Sequence, residues 1–377
     1  MGARVSTAQV QERVREHGTR GAPARIVGRG GWLDAGRPVP HAAPLSLAND
    51  SAIVEYVAGD LTLTARAGAT LASIAAATVA EGQWLALDPF GAADGTLGAT
   101  IATGSAGPLA HAFGTPRDAV LGLEVVTGNG EVVRAGGRVV KNVAGFDLAR
   151  LFTGAWGTLA VITEATVRLR ARPERDESVA LPVPDEGALA DWLARLRALP
   201  FSPLALEMVS APLAARLGLD RAALLLARLG GNEHAVRAQR QLLATFGDMR
   251  DVETAVWDAL RGSEPSGAAV ARVSAPPSRL HAIWATLSRI GGDTLAHATV
   301  GRGVVRTIHG FDASESGAAN AWLAAIATCE GTHIFERLPA HAWRAIPCRV
   351  DDPISRAVRH AFDPARILNR GILGERV

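Results

Sequence analysis

Apolar and polar positions follow different rhythms in the two halves of the chain. In the first half, Ser6 with Gln9 three residues on has the spacing of a reciprocally capped helix start. The runs ARIVG (24–28), IVEYV (53–57) and LTLTARAG (61–68) are rich in β-branched residues and predict strands. TLASIAAATVAEGQ (70–83) predicts a helix with Thr70 as its N-cap. VLGLEVVTGNGEVVRAGG (120–137) is two apolar runs about a glycine turn, hence a hairpin. A short helix is expected at DLARLF (147–152) and a long strand at LAVITEATVRLRARP (159–173).

Charge then concentrates about Pro173, in RARPERDES, and the rhythm becomes regular. Strand SVALPVP, helix EGALADWLARLRAL, strands ALEMVS and AALLLARLG and helix NEHAVRAQRQLLATF make one round, whose closing strand is weakly marked. A second round runs from strand AAVARVS and helix PSRLHAIWATLSRI through strands TLAHATV and GVVRTIH to helix AANAWLAAIATCE and strand HIFERLP. Each approximates β-α-β-β-α-β, a ferredoxin-like unit, and two side by side predict one antiparallel sheet. The fold class is therefore α+β, with one domain at 1–173 and an α/β cap at 174–377.

The segment DPFGAADGTLGATIATGSAGPLAHAFGTPRD (88–118) fits neither half's pattern. It is too apolar for a solvated loop and carries too many glycines for a stable helix, so its backbone is expected to approach something closely. Two other glycine-bearing segments, GRGGW (28–32) and GAWGTLAVIT (154–163), also sit at strand ends or turns. Exposed amides in such loops suit pyrophosphate oxygens. The alternative is three unrelated tight turns. Neither dinucleotide nor P-loop fingerprints occur; GRGGWL has leucine where a third glycine belongs.

Net charge of +2, with both signs interspersed, argues against a nucleic-acid partner. The charged, amphipathic N-terminus has no signal-like apolar run, and no apolar stretch is long enough to span a bilayer, so a cytoplasmic protein is expected. Cys329 and Cys348 are too few for a four-thiolate cluster and match no zinc spacing; no metal is expected. Lys141 is the chain's only lysine among 39 basic residues. It is either a compact charge placed for chemistry or a chance survivor at the surface.

Residues 85–169 resemble the flavin-binding domain of the vanillyl-alcohol oxidase and p-cresol methylhydroxylase superfamily. The matching runs are TLGATIATGSAG, FGTPRDAVLGLEVVTGNGEVV and KNVAGFDLARLFTGAWGTLAVITEATVRL. FDPARILN (362–369) resembles the superfamily's C-terminal segment that returns to the flavin domain. Within the superfamily, ALDPFGAADGTLGATIATGSAGP and KNVAGFDL are similar to the FAD-binding (E) subunits of glycolate oxidases. The resemblance implies non-covalent FAD, since Trp32 and Leu33 stand where an attaching histidine is often found; His111, in the second loop, is the other candidate for attachment and is read instead as a surface histidine.

It also implies cofactor contacts. Gly28, Arg29, Gly30, Gly31 and Trp32 correspond to a first phosphate loop, although Arg29 and Gly31 depart from the usual glycine-rich pattern. Thr96, Leu97, Gly98 and Ala99 correspond to a second phosphate-binding turn, where a side chain at Gly98 would block approach. Thr103 and Gly107 fall on the flavin side, Gly157 and Ile162 at the adenine end, and Asn369 in the returning segment. Lys141 is then a candidate beside the flavin.

Metal-dependent relatives carry H-x-G-D-G-N-x-H, where this chain reads HATVGRGVVRTIH. Arg302, Val304 and Arg306 replace the acid, amide and second histidine, and His297 alone survives. Either arginine suits a carboxylate clamp or a solvated surface; His297 suits a base or a structural role. The resemblance thus implies an FAD-dependent oxidoreductase of CH–OH donors that works in a complex, oxidising glycolate to glyoxylate. Its implied partners are a flavoprotein subunit with the intact motif and an iron–sulfur subunit, the whole peripheral at most to the inner membrane. An independent flavin oxidoreductase and a flavin-bearing structural subunit are the alternatives.

Overall fold

A computed structural model describes residues 6–91, 94–137, 146–291, 294–310, 316–348 and 350–375. The chain divides into two compact units. One comprises Met1–Gly107, Gly114–Arg172 and Trp343–Val377, the other Pro108–Phe113 and Pro173–Ala342. Among the described residues, no helix is long and apolar enough to cross a membrane.

The first unit begins with the helix Thr7–Arg20. The Ser6 hydroxyl accepts the Gln9 N–H at 3.3 Å, and the Gln9 side chain accepts the Ser6 N–H at 2.8 Å. Its sheet runs, in spatial order, Ile53–Val57, Thr62–Arg66, Ala160–Arg168, Val120–Thr127 and Val132–Gly136, each strand antiparallel to its neighbours. Leu63, Val125, Val161 and Val167 are fully buried on it. A strand the pattern hid behind Pro44, Ala43–Ser46, pairs in parallel with Ala24–Val27.

The C-terminal return starts earlier than residue 362. Arg37 donates to the carbonyls of Trp343 (2.8 Å) and Ile346 (2.5 Å), and its guanidinium lies 5.1 Å from the Trp343 ring centroid. These bonds tie the chain to the first unit from Trp343 onward. A helix at Pro353–Phe362, capped by Asp352, adds to the elements expected from the sequence. Beyond it the chain runs beside the first strand: the Ala24 N–H donates to the Ile367 carbonyl at 2.7 Å, and Asn369 N–H to the Ala24 carbonyl at 2.9 Å.

A charged knot joins the leading helix to the sheet. Arg66 donates to Asp50 (2.9 Å), Glu164 (3.2 Å), Glu124 (3.4 Å) and the Thr7 hydroxyl (2.9 Å). Glu124 also accepts from Arg134 (2.6 Å), Thr7 (2.7 Å) and Thr163 (3.0 Å). Burial disfavours the Glu124 charge, but these donors outweigh it and hold the carboxyl below its ordinary value.

In the second unit, both expected rounds form one eight-stranded antiparallel sheet. Its order is Arg250–Val252, Arg175–Pro182, Leu224–Gly231, Ala205–Val209, Leu295–Thr299, Val304–His309, Ala269–Ser274 and Thr332–Arg337. Each half has the strand order of a ferredoxin-like unit, and the halves join through Ala205–Val209 and Leu295–Thr299. The weakly marked closing strand is the three-residue Arg250–Val252.

Glu124→Gln leaves Arg66 and Arg134 short of a buried counter-charge and is expected to cost about 3 kcal/mol in urea unfolding at neutral pH. A carboxyl whose folded pKa is depressed stabilises above its unfolded pKa, and that contribution disappears as pH falls through the folded value. Wild type should therefore lose stability below about pH 4.5 more steeply than Glu124→Gln; parallel slopes would show that the knot does not set the acid sensitivity.

Candidate functional site

A cleft in the first unit, about 1100 Å³ with its open mouth, is walled by three segments that meet only in the fold. The first wall is the loop after Ala24–Val27. Gly30 at φ +89° turns it, the Leu33 N–H reaching the Gly30 carbonyl at 3.4 Å and the Ala35 N–H that of Trp32 at 3.1 Å. Arg25 braces the loop by donating to the Leu33 and Ala35 carbonyls, both at 3.3 Å, and burial pulls its pKa down. The Gly30 and Gly31 N–H groups meet no acceptor among the described residues. A Cβ at Gly31 would have nothing within 4 Å.

The second wall is the helix Leu97–Thr103, capped by Thr96, whose hydroxyl accepts the Ala99 N–H at 3.3 Å. The Leu97 N–H donates to Ala69 and the Gly98 N–H to Ala67, each at 2.8 Å. Three donors at this helix start are therefore already used inside the protein. The expectation that a Gly98 side chain would block a ligand needs correcting. A Cβ there would lie 2.6 Å from the Ala67 Cβ and 2.9 Å from its carbonyl oxygen, so close helix–strand packing requires the glycine.

The third wall is the turn at Trp156 (φ +55°) and Gly157 (φ +64°), anchored by the Trp156 N–H on the Ala102 carbonyl at 2.7 Å. Asn369, itself at φ +41°, joins it to the first wall. Its Oδ1 accepts the Ile26 N–H at 2.9 Å and its Nδ2 donates to the Trp156 carbonyl at 2.7 Å. Trp32 and Trp156 line the cleft with ring centroids 6.4 Å apart.

Of the positions expected from the sequence, the cleft gathers Gly28, Arg29, Gly30, Gly31, Trp32, Thr96, Gly98, Ala99, Thr103, Gly157, Ile162 and Asn369. Leu97 and Gly107 are not among its lining. Leu97 is fully buried in the core, and a Cβ at Gly107 would fall 2.0 Å from the Asp88 carbonyl oxygen. Lys141 lies outside the described residues. Sequence reasoning missed Arg25, Asp94 and Trp156 as lining residues; only Trp156, set between glycines in GAWG, carried a local signal.

The remaining candidates are in the second unit. His297 is buried, its Nδ1 2.9 Å from Oε2 of the fully buried Glu207. Arg306 is neither solvated nor open to a ligand carboxylate; it is buried and ion-paired with Glu264 (2.6 Å) and Glu336. Arg302 donates to the Ala110 carbonyl at 3.4 Å. His111 is half-buried rather than a surface residue, because its ring packs where a Gly301 Cβ would project, 2.6 Å from Cε1. Burial and nearby Arg302 lower its pKa against an opposing pull from Glu207.

Residues 5–136 match the family model for an FAD binding domain. Over 244 residues the chain is 36% identical to "Glycolate oxidase subunit GlcE" of Escherichia coli (strain K12), covering 63% of each chain. It is 33% identical over 214 residues to "Glycolate oxidase subunit GlcD" of Bacillus subtilis (strain 168), covering 54% of this chain and 46% of that one. The chain thus spans less than two thirds of the length of these curated relatives. A crystal structure of p-cresol methylhydroxylase with substrate bound superposes with a TM-score of 0.73 at 17% identity, covering 98% of this chain and 87% of that one. The fold is therefore of the p-cresol methylhydroxylase type.

Gly98→Val should cost about 2 kcal/mol of stability by overpacking against Ala67. Urea unfolding without added ligand checks it: a wild-type midpoint would mean that the Gly98–Ala67 contact yields freely.

Proposed function

We propose that the cleft holds FAD and that the chain is the FAD-binding subunit of a glycolate oxidase, a reading supported by the match of residues 5–136 to the FAD binding domain model and by the similarity to a glycolate oxidase subunit. The observation that carries the reading is the pair of unpaired amides at Gly30 and Gly31 on a loop whose open side faces the cleft. Backbone donors without protein acceptors suit the diphosphate of a dinucleotide. Bound there, FAD supplies two-electron acceptance from a carbon–hydrogen bond. Gly30 and Gly31 hold the diphosphate, Asn369 keeps the first and third walls in register, and Trp32 and Trp156 present ring faces for planar groups.

Oxidising a 2-hydroxy acid also demands loss of the hydroxyl proton and a hold on the carboxylate. Arginine cannot serve as a base at neutral pH, and the Arg306 guanidinium is already engaged by two glutamates. Onward single-electron relay through an iron–sulfur centre needs four thiolates, and the chain has two cysteines. Both requirements favour a second flavoprotein subunit and an iron–sulfur subunit as partners, with glycolate as donor and glyoxylate as product. One observation favours a second reading, an enzyme acting alone on another hydroxy acid. Glu207 holds His297 as a carboxylate holds a catalytic imidazole.

Acid precipitation of the purified chain should release FAD into the supernatant. Flavin retained in the pellet would mean covalent attachment, and FMN would remove the case for a diphosphate site. Glycolate added anaerobically to the isolated, flavin-loaded chain should leave the oxidised spectrum unchanged, whereas the assembled complex should bleach. Rapid bleaching of the chain alone, lost in His297→Ala, would establish the second reading instead.

A further inference from the structure

Among the described residues, three charged side chains line the cleft: Arg25, Arg29 and Asp94. Arg25 is committed to bracing the loop through the Leu33 and Ala35 carbonyls. Arg29 is placed differently. Its Nε donates to Asp94 Oδ2 at 3.2 Å, and about half of each side chain is exposed, 49% and 59%. The pair links the loop bearing Gly30 and Gly31 to the segment leading into the Leu97–Thr103 helix.

A salt bridge this exposed is weak, because both charges stay hydrated and two side chains are held in one geometry. Either partner is readily exchanged for an ion of higher charge. A lone carboxylate on the wall of a cleft that receives a diphosphate repels it. An arginine beside that carboxylate neutralises it, and arginine is also the side chain best shaped for phosphate oxygens. Arg29 directly precedes the two unpaired amides, so a guanidinium and two N–H donors come from three consecutive residues.

We propose that Arg29 is a diphosphate-binding side chain of the cleft and that Asp94 is its competing counter-ion, so that Asp94 limits FAD affinity by engaging Arg29. The inference rests on the reading of the cleft as the FAD site. Its distinctive consequence is that removing an acid from the cleft strengthens cofactor binding.

The test is flavin-fluorescence titration of the full chain, stripped of cofactor, with FAD and with riboflavin, which has no phosphate. Titrations are run at about 50 mM and about 300 mM salt, on either side of strong charge screening. Arg29→Gln should weaken FAD about 10-fold and flatten its salt dependence, with riboflavin unaffected. Asp94→Asn should tighten FAD about threefold, and the double variant should bind more tightly than Arg29→Gln but less tightly than wild type, because it lacks both the guanidinium and the lone carboxylate that repels the diphosphate. Thermal melts without flavin should show all three variants as stable as wild type. The proposal is overturned if FAD affinity is unchanged in Arg29→Gln. It is equally overturned if Asp94→Asn weakens FAD as Arg29→Gln does, since the pair would then only fix the loop. Absence of FAD binding by wild type is a separate result, and it removes the reading of the cleft itself.

Discussion

A single carboxamide closes the cleft. Asn369 accepts from the end of the first strand and donates to the Trp156 turn, drawing residues more than 300 positions apart in the chain into one wall. Its geometry is exacting, because the residue sits in the left-handed region, which asparagine tolerates better than most side chains. A Cβ at neighbouring Gly157 would come within 2.9 Å of the Asn369 amide nitrogen, so the glycine and the carboxamide depend on each other. Without this tie the returning C-terminal segment would keep its backbone pairing with Ala24 but lose its hold on the third wall.

Charge is used in two distinct ways. Buried ions are bound into networks: Arg66 with Asp50, Glu124 and Glu164 in the first unit, Arg306 with Glu264 and Glu336 in the second. Such groups stay charged only while each partner is present, which makes them scaffold rather than sites for a passing ligand. Arg29 and Asp94 are the opposite case, a hydrated pair whose members exchange partners at little cost. The glycines divide in a similar way. Gly98 and Gly107 are required by protein atoms packed against them, whereas Gly31 faces open space.

Much of this architecture follows from local sequence. The reciprocal cap at Ser6 and Gln9, the hairpin about Gly130 and the two β-α-β-β-α-β rounds arise from residues a few positions apart, whose torsional preferences and apolar period act before any distant contact forms. Pro44 concealed the Ala43–Ser46 strand because proline lacks an N–H, and a single parallel pairing leaves little alternation to detect. The helix Pro353–Phe362 was legible in the sequence: it has Asp352 as N-cap, a proline at its first position, and apolar residues at 354, 357, 358, 361 and 362 in helical spacing.

The sequence by itself determined most of the strands, helices and glycine turns, the Ala43–Ser46 strand aside, since those choices are made within a few residues of chain. Tertiary structure alone decided what each glycine and each charge is for. That Gly98 serves Ala67, that Arg306 is taken by two glutamates, and that Arg29 stands at the cleft opposite Asp94 depend on partners far away in sequence. Pairing energies of this kind are set by distance and burial, and neither quantity exists until the chain has folded.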